Sequence, residues 1–176
     1  KHAEEKLQIA RRAVELIEEG STIFLGTGTT VEQMASMLPA CRLRIVTNSL
    51  SVFNLLEPRE DCDLCLVGGM YRRRTAAFVG PTAEDTLRAL GIDAAFIGAN
   101  GILDGGVSTS NMDEGRIQQL AFSKADSRYL IADSSRIGRR DFYTFCRLDS
   151  LDAVVCEPSI SAEDRAAIEE HAQVIC

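Results

Sequence analysis

The chain has 176 residues with 26 acidic and 19 basic side chains, so its formal net charge is −7. This length is typical of one domain with a buried core, and the acidic balance argues against a surface that holds duplex DNA. Tryptophan is absent and aromatic content is low, which disfavours a stacking platform for single-stranded nucleic acid. We therefore expect residues 1–176 to form one domain, in which a local basic site for one small anion is still compatible with the net charge.

Strand-like and helix-like patterns alternate along the chain. Helical patterns cover 4–19, 31–38, 49–56, 82–90, 114–124 and 162–171, and short apolar strand-like runs cover 22–25, 43–46, 64–67, 92–97, 128–132, 153–156 and 174–175. Continuously apolar strands are typical of a parallel sheet covered on both faces. This order predicts an α/β fold with an open, mostly parallel sheet flanked by helices. The segments 68–81 and 98–113 are the least regular.

A Gly-Thr loop follows the first predicted strand and opens the next helix. It reads Gly26-Thr27-Gly28-Thr29-Thr30. Glycines bring backbone amides close to a ligand, threonines add hydroxyl donors, and a helix N-terminus supplies unpaired N–H groups. These features predict a phosphate site, against the alternative of a capped tight turn. The spacings of the Walker loop and of the dinucleotide-binding glycine loop are both absent.

Three further predicted strand ends carry small or amide-rich residues. They are Thr47-Asn48-Ser49, Gly68-Gly69 and Gly98-Ala99-Asn100-Gly101. Because α/β folds place ligands at the carboxyl ends of their strands, these segments predict one shared pocket with the Gly-Thr loop. For residues 47–49, a plain helix N-cap is the competing interpretation.

Charged residues complete the predicted ligand site. One arginine of the run Arg72, Arg73 and Arg74 is expected to close over a phosphate; Arg72 is the representative candidate, and the sequence does not distinguish the three. After the strand at 128–132, Asp133 is a candidate for a sugar hydroxyl and Arg136 for a phosphate, with a capped turn as the alternative.

The cysteine and histidine patterns do not favour a metal or redox site. The six cysteines lie mostly in apolar runs and are expected to be reduced thiols, since the CxxC spacing at 62–65 has no second pair. His2 and His171 have no partner pattern, so no metal or cofactor is expected. No apolar run approaches the length of a membrane span, and the charged start without Met suggests an internal piece of a longer, cytoplasmic protein.

Taken in order, these segments resemble the C-terminal effector domain of DeoR-type repressors of sugar metabolism. The matching pieces run from about 9 to about 156: 9–10 with 16–20, 26–30, 46–49, 67–69, 79–81, 93–98, 100–101 and 133–138. The resemblance implies a fold like ribose-5-phosphate isomerase and CoA-transferases, and a phosphorylated sugar as effector. It also implies a homo-oligomer, dimeric or tetrameric, and an N-terminal helix-turn-helix domain outside this chain that binds operator DNA. Arg136 and Gln118 stand where the family usually has lysine.

The sequence thus predicts a ligand-sensing domain of a bacterial transcriptional repressor that is catalytically inert. Isomerases on the resembling fold place acidic residues after the strand matched by 92–97, where this chain has Ile97, Asn100 and Gly101. Asp104 lies nearby in a segment typical of a turn. A sugar-phosphate isomerase on the same fold is the alternative, and a nucleotide-binding module is a third interpretation, weakened by the missing phosphate-loop fingerprints. Glu114 is interpreted as a helix-dipole residue.

Overall fold

The structure is a computed structural model that describes residues 2–176. Its helices are α1 (Ala3–Val14), α2 (Thr29–Ser36), α3 (Leu50–Leu56), α4 (Pro81–Arg88), α5 (Met112–Lys124) and α6 (Ala162–Glu169). Its strands are β1 (Thr22–Leu25), β2 (Leu43–Thr47), β3 (Cys62–Leu66), β4 (Met70–Arg72), β5 (Ala77–Val79), β6 (Ile92–Ile97), β7 (Gly101–Leu103), β8 (Gly106–Thr109), β9 (Ala125–Ile131), β10 (Tyr143–Arg147), β11 (Ala153–Val155) and β12 (Gln173–Ile175). Two short 3₁₀ turns cover Ser134–Arg136 and Leu148–Ser150.

Seven strands form one parallel sheet between two layers of helices. The strand order is β12-β11-β9-β6-β1-β2-β3. The apolar residues of α1, α2 and α3 pack with one set of strand side chains, and those of α4, α5 and α6 pack with the other set. This arrangement confirms the predicted open, mostly parallel sheet, and it explains the uninterrupted apolar runs because both faces of the sheet are covered.

Strand order reverses at the centre of the sheet. From β1 the chain moves through β2 to the edge strand β3, whereas from β6 it moves the other way through β9 and β11 to β12. Since parallel crossovers are right-handed, opposite directions of travel place the connecting helices on opposite faces. The loops after β1 and β6 therefore diverge and leave a crevice, which is the usual ligand position in such folds.

The predicted helix over 4–19 is longer than the observed one, which ends at Val14. The amides of Leu16 and Ile17 donate to the carbonyl oxygens of Ala13 and Val14, at 3.0 and 3.2 Å, in tighter turns. Both apolar side chains still pack against the core under α1. The apolar period therefore continues past the end of the helix.

The two least regular segments contain small antiparallel sheets that the sequence patterns did not indicate. Strands β4 and β5 form a hairpin within 68–81, and β7 and β8 form another within 98–113 that pairs with β10. The turn of the second hairpin has positive φ at Asp104 (51°) and Gly105 (77°). Positive φ at both central residues matches the right-handed twist of a hairpin, so the predicted turn at Asp104 is confirmed. None of the helices in residues 2–176 has the length and apolar character that a membrane crossing needs.

Candidate functional site

A cleft of about 420 Å³ lies at the carboxyl ends of β1, β6 and β9, where the strand order reverses. Both helical layers contribute to it, through α1, α2 and α3 on one side and α5 on the other. Eight of the sequence-predicted site residues line it: Thr27, Gly28, Thr29, Thr30, Gly98, Asn100, Asp133 and Arg136. The structure thus brings together the Gly-Thr loop, the loop after β6 and the turn after β9.

The N-terminus of α2 opens into this cleft without a side-chain cap. Gly28 is its N-cap residue, with φ 112° and ψ 163°, and no side chain accepts a hydrogen bond from the first turn. The first amides of a helix have no partner within the helix, and they carry the positive end of its dipole. A Cβ atom on Gly28 would meet no atom within 4 Å, so the backbone is open on that side. This terminus therefore has the properties of an anion site.

Four cationic side chains line the cleft. Lys6, Arg73, Arg74 and Arg136 line it, and the Lys6 ammonium donates a hydrogen bond of 2.9 Å to the Thr29 hydroxyl. Within residues 2–176, none of these four side chains forms an ion pair with a carboxylate. The lining also has three carboxylates, Glu32, Glu114 and Asp133, and Glu114 is paired with Arg72. Positive charge therefore exceeds negative charge in the cleft, which favours an anionic ligand.

Glu114 lies on the α5 side of the cleft and bonds to several neighbouring residues. Its backbone amide donates to the Asn111 side chain, which caps α5, and its carboxylate accepts from Arg72 Nε at 2.6 Å and from the Thr75 hydroxyl at 2.9 Å. The Thr27 hydroxyl lies 3.5 Å from its other oxygen. Arg72 itself does not line the cleft, whereas Arg73 and Arg74 do. Arg72 therefore holds the β4–β5 turn against α5, and it leaves its two neighbours as the candidates for ligand contact.

Asp133 is held in the turn after β9. Its carboxylate accepts hydrogen bonds from the amide and the hydroxyl of Ser135, and it is 3% exposed. Burial by itself raises the pKa of Asp133, but the two Ser135 hydrogen bonds and the Arg136 charge outweigh it, so that the pKa is lowered. Asp133 is thus a charged acceptor at the cleft wall and can accept a hydrogen bond from a sugar hydroxyl. It also caps the turn, which was the alternative interpretation from the sequence.

Asn100 is oriented from outside the cleft. Its amide nitrogen donates to the Asp141 carboxylate at 2.9 Å, and the Asp141 backbone amide donates to the Ser108 hydroxyl at the same distance. The hydrogen bond from Asn100, together with one from the Phe142 amide, lowers the pKa of Asp141. Asp141 therefore stays ionised and fixes the orientation of the Asn100 amide at the cleft.

The other eight predicted site residues lie beside or beneath the cleft and do not line it. Thr47 donates its hydroxyl to the Leu25 carbonyl at 2.6 Å, Ser49 caps α3, and Asn48 donates its amide to the Phe78 carbonyl. All three are at most 3% exposed, so they join the ends of β1 and β2 to the β4–β5 hairpin. The remaining members of this group are Gly26, Gly68, Gly69, Gly101 and Arg72. For residues 47–49 the structure shows the N-cap that the sequence left as the alternative.

Several lining residues were not predicted from the sequence as site residues. They include Lys6, Glu32, Ser51, Thr75, Thr109, Ser110, Glu114 and Gln118. Most come from helix positions or from hairpins that periodicity did not indicate. For Glu114, a carboxylate in the first turn of a helix has a sufficient local explanation, so the sequence held no signal of its contacts with Arg72 and Thr75.

Gly101 has a packing role rather than a place on the cleft surface. A Cβ atom there would overlap the carbonyl oxygen of Arg139. We expect Gly101→Ala to lower the free energy of unfolding by about 1–3 kcal/mol because the two backbone segments must separate. Chemical denaturation would measure this change. Gly91→Ala is the control, since a Cβ atom at Gly91 meets no atom within 4 Å; equal effects of the two substitutions would contradict the packing role.

The CxxC segment has no redox geometry. Cys62 packs with the core under α1–α3, and Cys65 packs with the core under α4–α6. Side chains three residues apart in a strand point to opposite faces, so these two thiols are on opposite sides of β3. Burial raises the pKa of the Cys62 thiol, which disfavours the reactive thiolate.

Comparisons with known proteins agree with this architecture. The family model described as the DeoR C-terminal sensor domain matches residues 1–157. The chain belongs to this family. Lactose phosphotransferase system repressors are among its relatives: the protein of Staphylococcus epidermidis is 42% identical over 98% of this chain, and that of Lactococcus lactis is 38% identical over 99%. In both cases the match covers 69% of the repressor, so this sensor domain spans about two thirds of their length.

Solved structures show the same fold at low sequence identity. The sensor domain is similar to ribose 5-phosphate isomerase A of Methanocaldococcus jannaschii, with a TM-score of 0.57 and 18% identity over 78% of this chain and 55% of that one. It is also similar to eIF2B beta of Chaetomium thermophilum, with a TM-score of 0.64 and 11% identity over 96% of this chain and 53% of that one. An isomerase and a translation factor thus share the fold, which confirms the predicted architecture. Because proteins of different function have this fold, the function has to be inferred from the residues of the site.

Proposed function

We propose that this sensor domain binds a phosphorylated sugar in the cleft and that binding regulates a bacterial transcriptional repressor of carbohydrate use. The observation that carries the proposal is the N-terminus of α2 at Gly28, which has no side-chain cap and faces a cleft lined by four cationic side chains that form no ion pair with a carboxylate of residues 2–176. Backbone amides and cations together favour a phosphate group. The relatives named for a lactose phosphotransferase system support the same ligand class, because phosphotransferases produce phosphorylated sugars.

In the proposed complex, phosphate lies at the amides of residues 28–30 with Lys6 and Arg136 beside it. Asn100, Asp133 and Glu114 supply the amide and carboxylate groups that hydrogen-bond hydroxyls. No catalytic step is required of any of them. Sixteen residues were predicted for this site from the sequence, and eight of them lie at the cleft surface, so the proposed contacts are restricted to those eight and the additional lining residues.

Regulation requires that the occupied and empty cleft favour different arrangements of the repressor. We propose that α1 takes part, because Lys6 connects it directly to the first turn of α2. Operator binding is assigned to a separate helix-turn-helix domain, and self-association, as a dimer or a tetramer, to the sensor domain, since a two-fold operator requires a two-fold protein.

A thermal-shift screen of the sensor domain tests the ligand class. Hexose and pentose phosphates are expected to raise the unfolding midpoint, because a ligand that binds only the folded state stabilises it by about 2.7 kcal/mol at a hundredfold excess over Kd. The unphosphorylated sugars serve as matched controls and are expected to give no shift. If free sugars and sugar phosphates shift the midpoint equally, the proposed phosphate site is wrong.

Substitution of Lys6 tests the cationic side of the site. Lys6→Met is expected to weaken binding of the best sugar phosphate about tenfold, since a hydrogen bond to a charged group contributes about 1.5–3 kcal/mol. Isothermal titration calorimetry would measure the change. Lys124→Met removes the same charge at the far end of α5, outside the cleft lining, and is the control. Loss of affinity in both variants would indicate a nonspecific charge effect.

The isomerase alternative is favoured by one observation, the presence of Glu114 and Asp133 in the cleft. Aldose–ketose exchange requires a base that can take a carbon-bound proton. Glu114 is bound by Arg72 and Thr75, and Asp133 by Ser135, while Asp104 lines a different groove beside His171. We therefore expect no proton exchange into sugar phosphates in deuterated water by NMR. Turnover that disappears in Glu114→Gln or Asp104→Asn would establish an enzyme instead.

A further inference from the structure

Gln118 is the one residue of the cleft lining, within residues 2–176, whose buried side-chain oxygen has no hydrogen-bond partner. The residue is 7% exposed and lies on α5 one turn after Glu114. Residues four apart share a helix face, so both side chains belong to the same wall. An unpartnered buried acceptor costs folding free energy, and a ligand that binds the cleft could supply the missing donor.

The chemistry of Gln118 restricts the group that it can meet. Its side chain is uncharged, and the preceding turn of α5 carries the Glu114 carboxylate. A phosphate dianion has no proton to donate to the amide oxygen, whereas a hydroxyl has one.

We propose that Gln118 determines the specificity of the cleft by binding a free hydroxyl of the sugar, so that the site selects a sugar monophosphate over a bisphosphate. This inference rests on the proposed function and concerns how the site recognises the part of the ligand that lies away from the phosphate. The phosphate is held at the amides of residues 28–30, and the hydroxyl-bearing portion extends along α5 to Gln118. A second phosphate in that position would leave Gln118 without a donor.

Calorimetric titration of the sensor domain with fructose 6-phosphate, fructose 1,6-bisphosphate, galactose 6-phosphate, glucose 6-phosphate and inorganic phosphate tests the proposal. The wild-type chain is expected to bind a hexose monophosphate more tightly than the bisphosphate. Gln118→Leu is expected to weaken the best monophosphate about tenfold, from the lost hydrogen bond, and to leave affinity for inorganic phosphate unchanged. Gln118→Lys is expected to narrow or reverse the preference against the bisphosphate.

Unfolding of the ligand-free variants separates a specificity role from a structural one. Removing an unpartnered acceptor is expected to keep the midpoint of Gln118→Leu at or above the wild-type value. Gln33→Leu is the matched control, because the Gln33 side-chain oxygen is also buried without a partner but lies outside the cleft lining. This control should share the effect on the midpoint and leave sugar-phosphate affinity unchanged.

The outcomes distinguish the two levels of the proposal. If Gln118→Leu binds hexose monophosphates within twofold of the wild type, the specificity role is overturned while the sugar-phosphate site stands. A wild-type preference for the bisphosphate has the same consequence. If the wild-type chain binds neither inorganic phosphate nor any sugar phosphate, the proposed function itself is wrong, and the role of Gln118 is rejected with it.

Discussion

Replacement of Gly28 with valine is expected to reduce affinity for the best sugar phosphate by about a hundredfold or more. Gly28 has φ 112°, a conformation that a β-branched residue adopts only with strain. The new side chain would also project into open space beside the first amides of α2, where the phosphate is proposed to lie. Loss of two charge-assisted hydrogen bonds, at about 1.5–3 kcal/mol each, accounts for a change of this size.

The matched control for this substitution is Gly20→Val. Gly20 also has positive φ, 81°, and a Cβ atom there also meets no atom within 4 Å. It precedes β1, however, and so lies at the amino ends of the strands, away from the cleft. Both variants are expected to lose about 1–3 kcal/mol of stability from backbone strain, and only Gly28→Val should lose binding. Calorimetry and chemical denaturation measure the two quantities separately. Wild-type affinity in Gly28→Val would place the phosphate elsewhere.

The second large effect is expected at the pair of Arg72 and Glu114. Replacing Arg72 with methionine is expected to lower the free energy of unfolding by about 2–3 kcal/mol, because it leaves the 5% exposed Glu114 carboxylate without its cation. This is below the full cost of breaking a buried pair, since the Arg72 side chain is 25% exposed and the Thr75 hydroxyl remains as a donor. The β4–β5 turn, which carries Arg73 and Arg74 to the cleft, should lose order at the same time.

Two further variants identify the unpaired charge as the cause. Adding Glu114→Gln to Arg72→Met is expected to restore much of the lost stability, because no carboxylate is then left buried. Arg165→Met breaks an ion pair with Glu169 in which the two side chains are 43% and 49% exposed, and it should change stability by about 0.5 kcal/mol or less. Equal losses in Arg72→Met and Arg165→Met, measured by denaturant titration, would contradict this account.

Much of the fold followed from patterns in the sequence. The strands over 22–25 and 92–97 have the predicted bounds, and all seven strands of the parallel sheet were indicated by apolar runs. Such strands are buried on both faces, so composition alone marks them. The two hairpins were missed because their strands, such as Met70–Arg72 and Gly106–Thr109, have no sustained alternation of apolar and polar residues.

The candidate site was predicted in part for a related reason. The Gly-Thr loop is local in sequence, and its helix N-terminus is a local structure, so residues 27–30 could be predicted, and they line the cleft. The contact of Arg72 with Glu114 joins residues 42 positions apart, and Lys6 reaches Thr29 across 23 positions. Contacts of this kind depend on how hairpins and helices pack, so they cannot be predicted from the residue pattern of one segment.

The position of the cleft at the reversal of strand order has a consequence for how occupancy spreads through the domain. Lys6 and Thr29 belong to the helical layer of α1–α3, whereas Glu114 and Gln118 belong to the layer of α4–α6, and the sheet separates the two. A ligand in the cleft would bridge both layers without passing through the sheet. Its binding should therefore slow amide hydrogen exchange in the N-terminal parts of α2 and α5 together. One small molecule would then stabilise helices on both faces of the sheet.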